Sequence, residues 1–375
     1  MRVLVTGGAG FIGKHLARRL LREGCSVTIL DNFSPQIHGD VTTLPADLAS
    51  DVRLQMGDVR DEAVVGRMVK EQDVIVHLAA ETGTGQSMYE VLSYEEVNVR
   101  GTAVLLQCLM NDKASHGRRL IVASSRAVYG EGKYICPNHG AVYPKERKVE
   151  DMLAGRFESL CPMCGAECES VPTPENAPLQ PSSFYGLTKQ MQEQMVLLLA
   201  RNGMFSGAAI RYQNVYGPEQ SLTNPYTGIL AIFSNQARLH QPINIFEDGR
   251  ESRDFVYIDD VVEATWRCIV STNLRADVLN VGSGVRTSVC DVVRNIVEFT
   301  GSQSKIEITG AFRQGDIRHN CADLAQAHRL IGFSPRWSFS DGLPEFLEWA
   351  ITQEVSAGRY EASLQEMRQR GLFHG

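Results

Sequence analysis

Tyr185 and Lys189 stand four residues apart in Ser183-Phe-Tyr-Gly-Leu-Thr-Lys189, and Met191, Met195, Leu198 and Leu199 continue the segment at helical spacing. Both side chains therefore project from one helical face. A phenol whose pKa is about 10 is a poor base at neutral pH, but a neighbouring ammonium favours its phenolate. Such a pair can take a proton from a substrate hydroxyl while a second hydroxyl, such as that of Ser125, holds the substrate oxygen. Tyr and Lys at this spacing also occur by accident on helices, so the surrounding elements carry the decision.

The first of these elements is the run Arg2 to Thr6, which reads as a strand ending in Gly7-Gly8-Ala9-Gly10-Phe11-Ile12-Gly13, with Leu16, Leu20 and Leu21 continuing as a helix. Gly7, Gly10 and Gly13 permit a tight turn and close approach of backbone to a pyrophosphate at the helix N-terminus. A second strand, Cys25 to Leu30, leads into Asp31-Asn32, with Asp31 eighteen residues beyond Gly13. A carboxylate there accepts from ribose hydroxyls and repels a 2′-phosphate, which favours NAD over NADP. Further strands, 52–55 before Gly57-Asp58-Val59, 74–78 before Ala79-Ala80, and 120–124 before Ser125, complete a βαβ rhythm. The fold expected is α/β, a Rossmann-type doubly wound parallel sheet with ligands at the carboxyl ends of its strands, including Leu78, Ala79 and Ala80. Asp58 fits either such an end or the cap of a helix beginning near Asp61.

Composition sets outer limits. The chain has 375 residues, 43% hydrophobic and 22% charged, which excludes disordered, collagenous and coiled-coil classes. A net charge of −7 argues against a nucleic-acid partner. No stretch is long and apolar enough to span a membrane and no signal-peptide pattern is present, so a cytoplasmic enzyme is expected.

The glycine turn, Ser125 and the Tyr185/Lys189 pair occur with Asn98-Val-Arg-Gly-Thr102, Ser124-Ser-Arg-Ala-Val-Tyr-Gly130, Arg211-Tyr-Gln-Asn214-Val-Tyr-Gly-Pro218, Gly249-Arg-Glu-Ser-Arg253-Asp-Phe-Val-Tyr257 and Gly315-Asp-Ile-Arg318. Together these resemble, over nearly the whole chain, the extended short-chain dehydrogenase/reductase family of nucleotide-sugar epimerases and dehydratases. The resemblance implies a catalytic triad of Ser125, Tyr185 and Lys189, tightly bound NAD contacted also by Asn98, and a nucleotide diphosphate held by Asn214, Arg253 and Arg318. Arginine suits a diphosphate through bidentate, permanently charged donors, although Glu251, Asp254 and Asp316 could instead pair Arg253 and Arg318 as salt bridges. It further implies a homodimer through helices expected at 89–109 and 185–200, which periodicity alone reads equally as core packing. The domains expected are an NAD-binding unit at 1–202, an interleaved nucleotide-sugar unit at 203–354 and a tail at 355–375.

Family dehydratases carry an Asp-Glu pair, and decarboxylases a Glu, where this chain has Arg126-Ala127. Neither side chain does general acid/base work, so the resemblance implies simple C4 epimerization. Glu81 and Thr82, in the segment 80–89 beyond a strand, are expected to face the sugar together with Ser125 and Arg126. That segment, residues 224–233 and the cysteine insertion most resemble bacterial dTDP-L-rhamnose 4-epimerases. UDP-hexose or UDP-uronic acid 4-epimerases, or a reductase or dehydrogenase of the same fold, are the alternatives. A non-catalytic NAD-sensing protein would have no need of the intact triad.

Four of the nine cysteines fall in the insertion 131–181. Cys136-Pro-Asn-His139 and Cys161-Pro-Met-Cys164 form two close pairs separated by 21 residues, with Cys168 a spare ligand. Paired ligands on tight turns match the two knuckles of a four-coordinate structural zinc site. Free cysteines on a loop and a redox disulfide are the competing readings.

Overall fold

The computed structural model describes residues 1–112, 117–224, 226, 228–355 and 359–375. Its centre is a seven-stranded sheet of Arg2–Thr6 (β1), Ser26–Asp31 (β2), Val52–Met56 (β3), Val74–His77 (β4), Arg119–Ser125 (β5), Ser206–Tyr212 (β6) and Ala276–Val281 (β7). The order is β7-β6-β5-β4-β1-β2-β3, and every pairing is parallel. Both faces are covered, so the strands are apolar throughout: Val3 and Val5 enter one core cluster while Leu4 enters the other. From β1 the chain runs outward to β3 and then returns to β4 on the other side. That reversal opens a crevice beyond the ends of β1 and β4.

The glycine turn fills the β1 side of this crevice and leads into α1 (Phe11–Arg22). Gly7 has φ +68°, and a Cβ on it would lie 2.7 Å from the backbone nitrogen of Ala79; a Cβ on Gly13 would lie 2.5 Å from Gly8 Cα. Larger residues would push β1, β4 and α1 apart.

The helix expected at 89–109 is present as Val91–Tyr94, a π-helical segment Glu95–Arg100, and α2 (Gly101–Asn111). The wider π turn includes Asn98, which is buried and clasps Glu81: Asn98 Oδ1 accepts from Glu81 N (2.8 Å) and Nδ2 donates to Glu81 O (3.1 Å). Helix α3 (Phe184–Arg201) starts at Ser183, whose hydroxyl accepts from Gly186 N at 3.1 Å. Thr188, Lys189, Gln192, Glu193 and Val196 on it are buried, which carries the Tyr185/Lys189 pair onto the end of β5.

Beyond 203 the chain both completes the sheet with β6 and β7 and builds three small sheets, two of which come first. One orders Asn214–Tyr216, Ser252–Tyr257 and Arg286–Ser288; the other pairs Ile243–Ile245 with Ile306–Ile308. The insertion folds as a three-stranded antiparallel sheet of Gly140–Val142, Tyr134–Cys136 and Glu169–Ser170, with a short helix Val149–Leu153. No helix among the described residues is long and apolar enough to cross a membrane.

The stretch expected as a tail is instead a working part of the fold. Its helix Arg359–Gln369 leads to Phe373–His374, which pairs antiparallel with Phe312–Arg313. Leu364, Met367 and Phe373 are buried with Ala311, and the Phe373 ring meets that of Phe246 at 5.1 Å. Apolar burial thus fastens the chain end beside Arg313. Phe373→Ala should remove about 3 kcal/mol of packing, and amide exchange at 312–314 and 372–374 should accelerate while β1 to β7 keep their protection; unchanged exchange at both strands would contradict this anchoring.

Candidate active site

A cavity of about 450 Å³ lies along the carboxyl ends of β1, β2, β4 and β5. Its dinucleotide end is lined by Gly7, Gly10, Phe11, Ile12 and Gly13, by Asp31 and Asn32 after β2, by Val59, and by Leu78, Ala79 and Ala80 after β4. Asp31 accepts from Ala9 N and from Phe33 N, each at 2.9 Å, and so ties the glycine turn to the end of β2. The first turn of α1 has no side-chain cap, and the glycines leave only backbone between it and the cavity. A bare N-terminus with a carboxylate across the crevice fits the pyrophosphate and adenosine ribose of NAD.

Two expected contacts stand back from this lining. Asp58 is neither a lining residue nor the helix cap: Arg60 takes its carboxylate through N, Nε and Nη2 at 2.8–2.9 Å, and Asp61 caps the helix Glu62–Val69. Asn98 also lies behind the wall, where it positions Glu81 and its Nδ2 donates to Thr188 Oγ1 (3.0 Å). Glu81 and Thr82 do line the cavity. Burial raises the Glu81 carboxyl, whose charged neighbours are Arg60, Asp58 and Glu90.

Ser125, Tyr185 and Lys189 meet at the middle of the cavity. Ser125 ends β5 and its hydroxyl accepts from Ala127 N at 3.2 Å. Tyr185 is anchored through its backbone N–H to Ser87 Oγ (2.9 Å), and Lys189 Nζ donates to Ala123 O (3.0 Å) while lying 5.9 Å from the Tyr185 ring centre. Burial raises the Tyr185 phenol, with a hydrogen bond to Ser125 and the charge of Arg126 pulling the other way. Burial also lowers Lys189 to about 7. The ligand-free site thus resists both charges, and an added positive charge beside Tyr185 would favour its phenolate.

The far wall is cationic. Arg126, Arg253 and Arg313 line the cavity around one carboxylate, Asp316. Burial opposes ionisation of Asp316, but Arg313, Arg253, Arg147 and Arg126 outweigh it and hold the group low. Arg313 Nε donates to Asp316 Oδ2 at 2.9 Å, and Arg253 Nη1 to the carbonyls of Ser252 and Arg318 at 3.0 Å. Arg126 is lowered to about 9, by burial first and by Arg253 next, and its Nη1 is unpartnered among the described residues. Asn214, Gln213, Gln220 and Asn224 line the same end, each with an unpartnered polar atom. Three guanidiniums against one carboxylate, with unsatisfied amides beside them, suit a polar dianion. Ala127 is buried and outside the lining; Pro225 and Thr227 of the segment 224–233 lie outside the described residues.

Arg318, expected at the diphosphate, is corrected by the structure. It is wholly buried away from the cavity, with its guanidinium on Glu158, Glu247 and Asp248. Arg313, five residues earlier in the same stretch, takes the wall position that sequence reasoning missed. Both are arginines beside Gly315-Asp316; Arg313 lies on the strand 312–313 that pairs with 373–374, and its guanidinium is held by Asp316.

This fold and cavity define a Rossmann-type enzyme for a dinucleotide and a second, anionic ligand. Residues 4–145 match the GDP-mannose 4,6 dehydratase family model, and residues 157–282 match the NAD dependent epimerase/dehydratase family. The chain is 37% identical to a dTDP-L-rhamnose 4-epimerase of Burkholderia thailandensis over 94% of its own length and 96% of that protein's. Among solved structures it is similar to a UDP-glucose 4-epimerase of Thermotoga maritima with UDP-glucose (TM-score 0.74, 27% identity, 94% of this chain and 99% of that one). It is equally similar to MoeE5 in complex with UDP-glucuronic acid and NAD (TM-score 0.75, 28% identity, 94% and 99%). The chain belongs to the extended short-chain dehydrogenase/reductase family and is an NAD-dependent nucleotide-sugar epimerase.

Two predictions follow from the charges. Lys189 has a depressed folded pKa, so the penalty of burying its ammonium is full at pH 6 and is relieved as pH rises from about 7 toward its ordinary 10.5. Lys189→Met should therefore raise the ligand-free Tm more at pH 6 than at pH 9 while abolishing turnover; equal shifts at both pH values would contradict a buried amine. The two arginines should separate: Arg313→Ala raises KM roughly ten- to a hundredfold, whereas Arg318→Ala strips Asp248 of its cation, leaves Glu158 and Glu247 with only His319 and Arg147, and costs about 3–5 kcal/mol of stability. Urea unfolding and steady-state kinetics on both variants check the contrast.

Proposed function

We propose that this epimerase inverts C4 of dTDP-L-rhamnose, giving dTDP-6-deoxy-L-talose, through a transient 4-keto sugar. The observation carrying the reaction type is the pairing of Tyr185 and Ser125 with a cation, Arg126, where a dehydratase would need a second acid and base. NAD, when bound, supplies a reversible hydride acceptor for C4. Tyr185 takes the C4 hydroxyl proton and later returns it, and Ser125 steadies the same oxygen. Arg126 favours the phenolate by its charge, and Lys189, on the family resemblance, holds the nicotinamide ribose. Arg253, Arg313 and Asn214 grip the diphosphate, so the sugar can turn over while its nucleotide stays fixed. The likeness to the Burkholderia enzyme across nearly the whole chain supports the dTDP-deoxysugar.

A second reading, 4-epimerization of a UDP-uronic acid, is favoured by one feature: the unpartnered nitrogen of Arg126, which lines the cavity with Tyr185, would suit a sugar carboxylate. A homodimer is also proposed, supported by exposed Leu187, Met191 and Leu198 on α3 and by exposed Leu92 and Met110 on the adjoining helical stretch.

Incubation with a panel of dTDP- and UDP-sugars, followed by NMR at C4, should give C4 epimers of a dTDP-deoxysugar without net NADH formation; sustained NADH release would indicate a dehydrogenase instead. Tyr185→Phe should lower kcat by at least about a hundredfold while NAD co-purifies as in the parent, and normal turnover in this variant would refute its role as base.

A further inference from the structure

None of the cavity-lining residues comes from the insertion, yet the insertion holds a tightly convergent set of ligating side chains. Cys136, His139, Cys161 and Cys164 each bring one ligand atom within 4.8 Å of all the others. Cys136 Sγ lies 3.7 Å from Cys164 Sγ and 3.6 Å from His139 Nδ1, and Cys161 Sγ lies 3.7 Å from the same nitrogen. A tetrahedral ion with Zn–S of about 2.3 Å and Zn–N of about 2.0 Å sets its ligand atoms about 3.8 Å (S to S) and about 3.6 Å (S to N) apart. A disulfide would need sulfurs at about 2.05 Å. The observed spacings follow the metal geometry.

The turns have the build of metal knuckles. Asn138 N donates to Cys136 Sγ (3.4 Å) and Asn138 Nδ2 to Cys164 Sγ (3.6 Å), while Cys161 N donates to Ala166 O (2.8 Å). Such donors to sulfur orient thiolate ligands. Cys168 stays outside the set, its thiol on Ala166 O at 3.5 Å. The apolar cluster around the ligands is small: Tyr134, Cys136, Val142, Cys161 and Cys168, two of them members of the ligand set, while Met152 and Phe157 pack separately against Phe312.

We propose that Cys136, His139, Cys161 and Cys164 bind one zinc ion in a closed structural site, and that this clasp braces the cationic wall of the cavity. Three sulfurs and an imidazole select a soft borderline ion, and four protein ligands leave no position for catalysis. The brace is short. Glu158 and Ser159 immediately precede the Cys161 knuckle, and Glu131 and Tyr134 precede that of Cys136. Glu158 accepts from Arg318 Nε and pairs with His319 Nε2, both at 3.1 Å. Glu131 accepts from Tyr134 OH (3.1 Å), Ser159 Oγ (3.2 Å), Arg318 N (3.1 Å) and Arg147 Nε (3.1 Å). Arg147 Nη2 in turn donates to Asp316 O (2.8 Å), whose side chain holds Arg313. The bracing role rests on the assignment of that wall to the diphosphate; the metal assignment does not.

The test uses untagged full-length protein grown with added zinc. Mass spectrometry of the metal should give about one zinc per chain, lost in Cys161→Ser and retained in His139→Cys, and cobalt exchange should produce the visible bands of a tetrahedral thiolate site. Zinc loss should open 131–181 to protease and raise KM for the nucleotide sugar while bound NAD is retained. Folded, NAD-containing parent protein with well under half a zinc per chain and no cobalt bands would overturn the site, as would full zinc in Cys161→Ser. An unchanged KM in zinc-depleted protein would overturn the brace. Should Cys161→Ser prove insoluble, chelator-stripped parent protein supplies the same comparison. Stoichiometric zinc in a protein that epimerizes no sugar of the panel would sink the function reading and leave the metal site standing.

Discussion

Arg126, Arg253 and Arg313 are held largely out of water around the single carboxylate of Asp316, with the buried ammonium of Lys189 beside Tyr185 in the same cavity, and most of the surrounding structure is arranged to keep them there. Desolvating a cation costs several kcal/mol unless nearby groups compensate. Here compensation is incomplete: the ammonium of Lys189 has one carbonyl, and Arg126 keeps a nitrogen without a partner. That deficit is what a dianionic ligand can relieve. It also couples binding to chemistry, because burial opposes the phenolate of Tyr185 while Arg126 and Ser125 favour it.

Holding unfavourable charge in place requires rigid support, and the support is polar as well as apolar. Glu193, buried on α3, accepts from Ser124 Oγ (2.8 Å) and Arg211 Nε (3.0 Å), locking the end of β5 to β6 one residue before Ser125. Behind the crevice His77 joins Thr6 (2.7 Å) to Thr102 (3.0 Å), and Gln192 reaches the same threonine (2.7 Å). Burial lowers His77 to about 3, so it links β1, β4, α2 and α3 as a neutral group. In a low-dielectric interior such fully connected networks permit few alternative registers. The carboxylates around Arg318 do similar work at the back of the cationic wall, between the insertion and the segment 247–251.

The parts of the site legible beforehand are those whose physics is local. An apolar run before glycines, a carboxylate at the end of the next strand, and a tyrosine and lysine one helical turn apart each carry their geometry in their spacing, and the structure assembles them in one cavity. The two cysteine knuckles were legible for the same reason: three-residue turns fix each pair, and only the approach of one turn to the other remained open. Asp58 and Asp61 show the limit. Either could cap the helix, and the difference is that Arg60 reaches back to claim Asp58.

By itself the sequence determined the strand rhythm, the dinucleotide turn, the Tyr185/Lys189 face and the two close Cys/His pairs of the insertion, because periodicity and steric demand act over a few residues. The tertiary structure alone decided which arginine faces the cavity, that Asn98 buttresses the wall through a π turn, and that residues 373–374 form a strand beside Arg313. Each of those outcomes depends on a partner at least 17 residues away, Asn98 on Glu81 at 17 and Arg313 on Phe373 at 60, and spacing within a motif says nothing about which distant group arrives to pair with it.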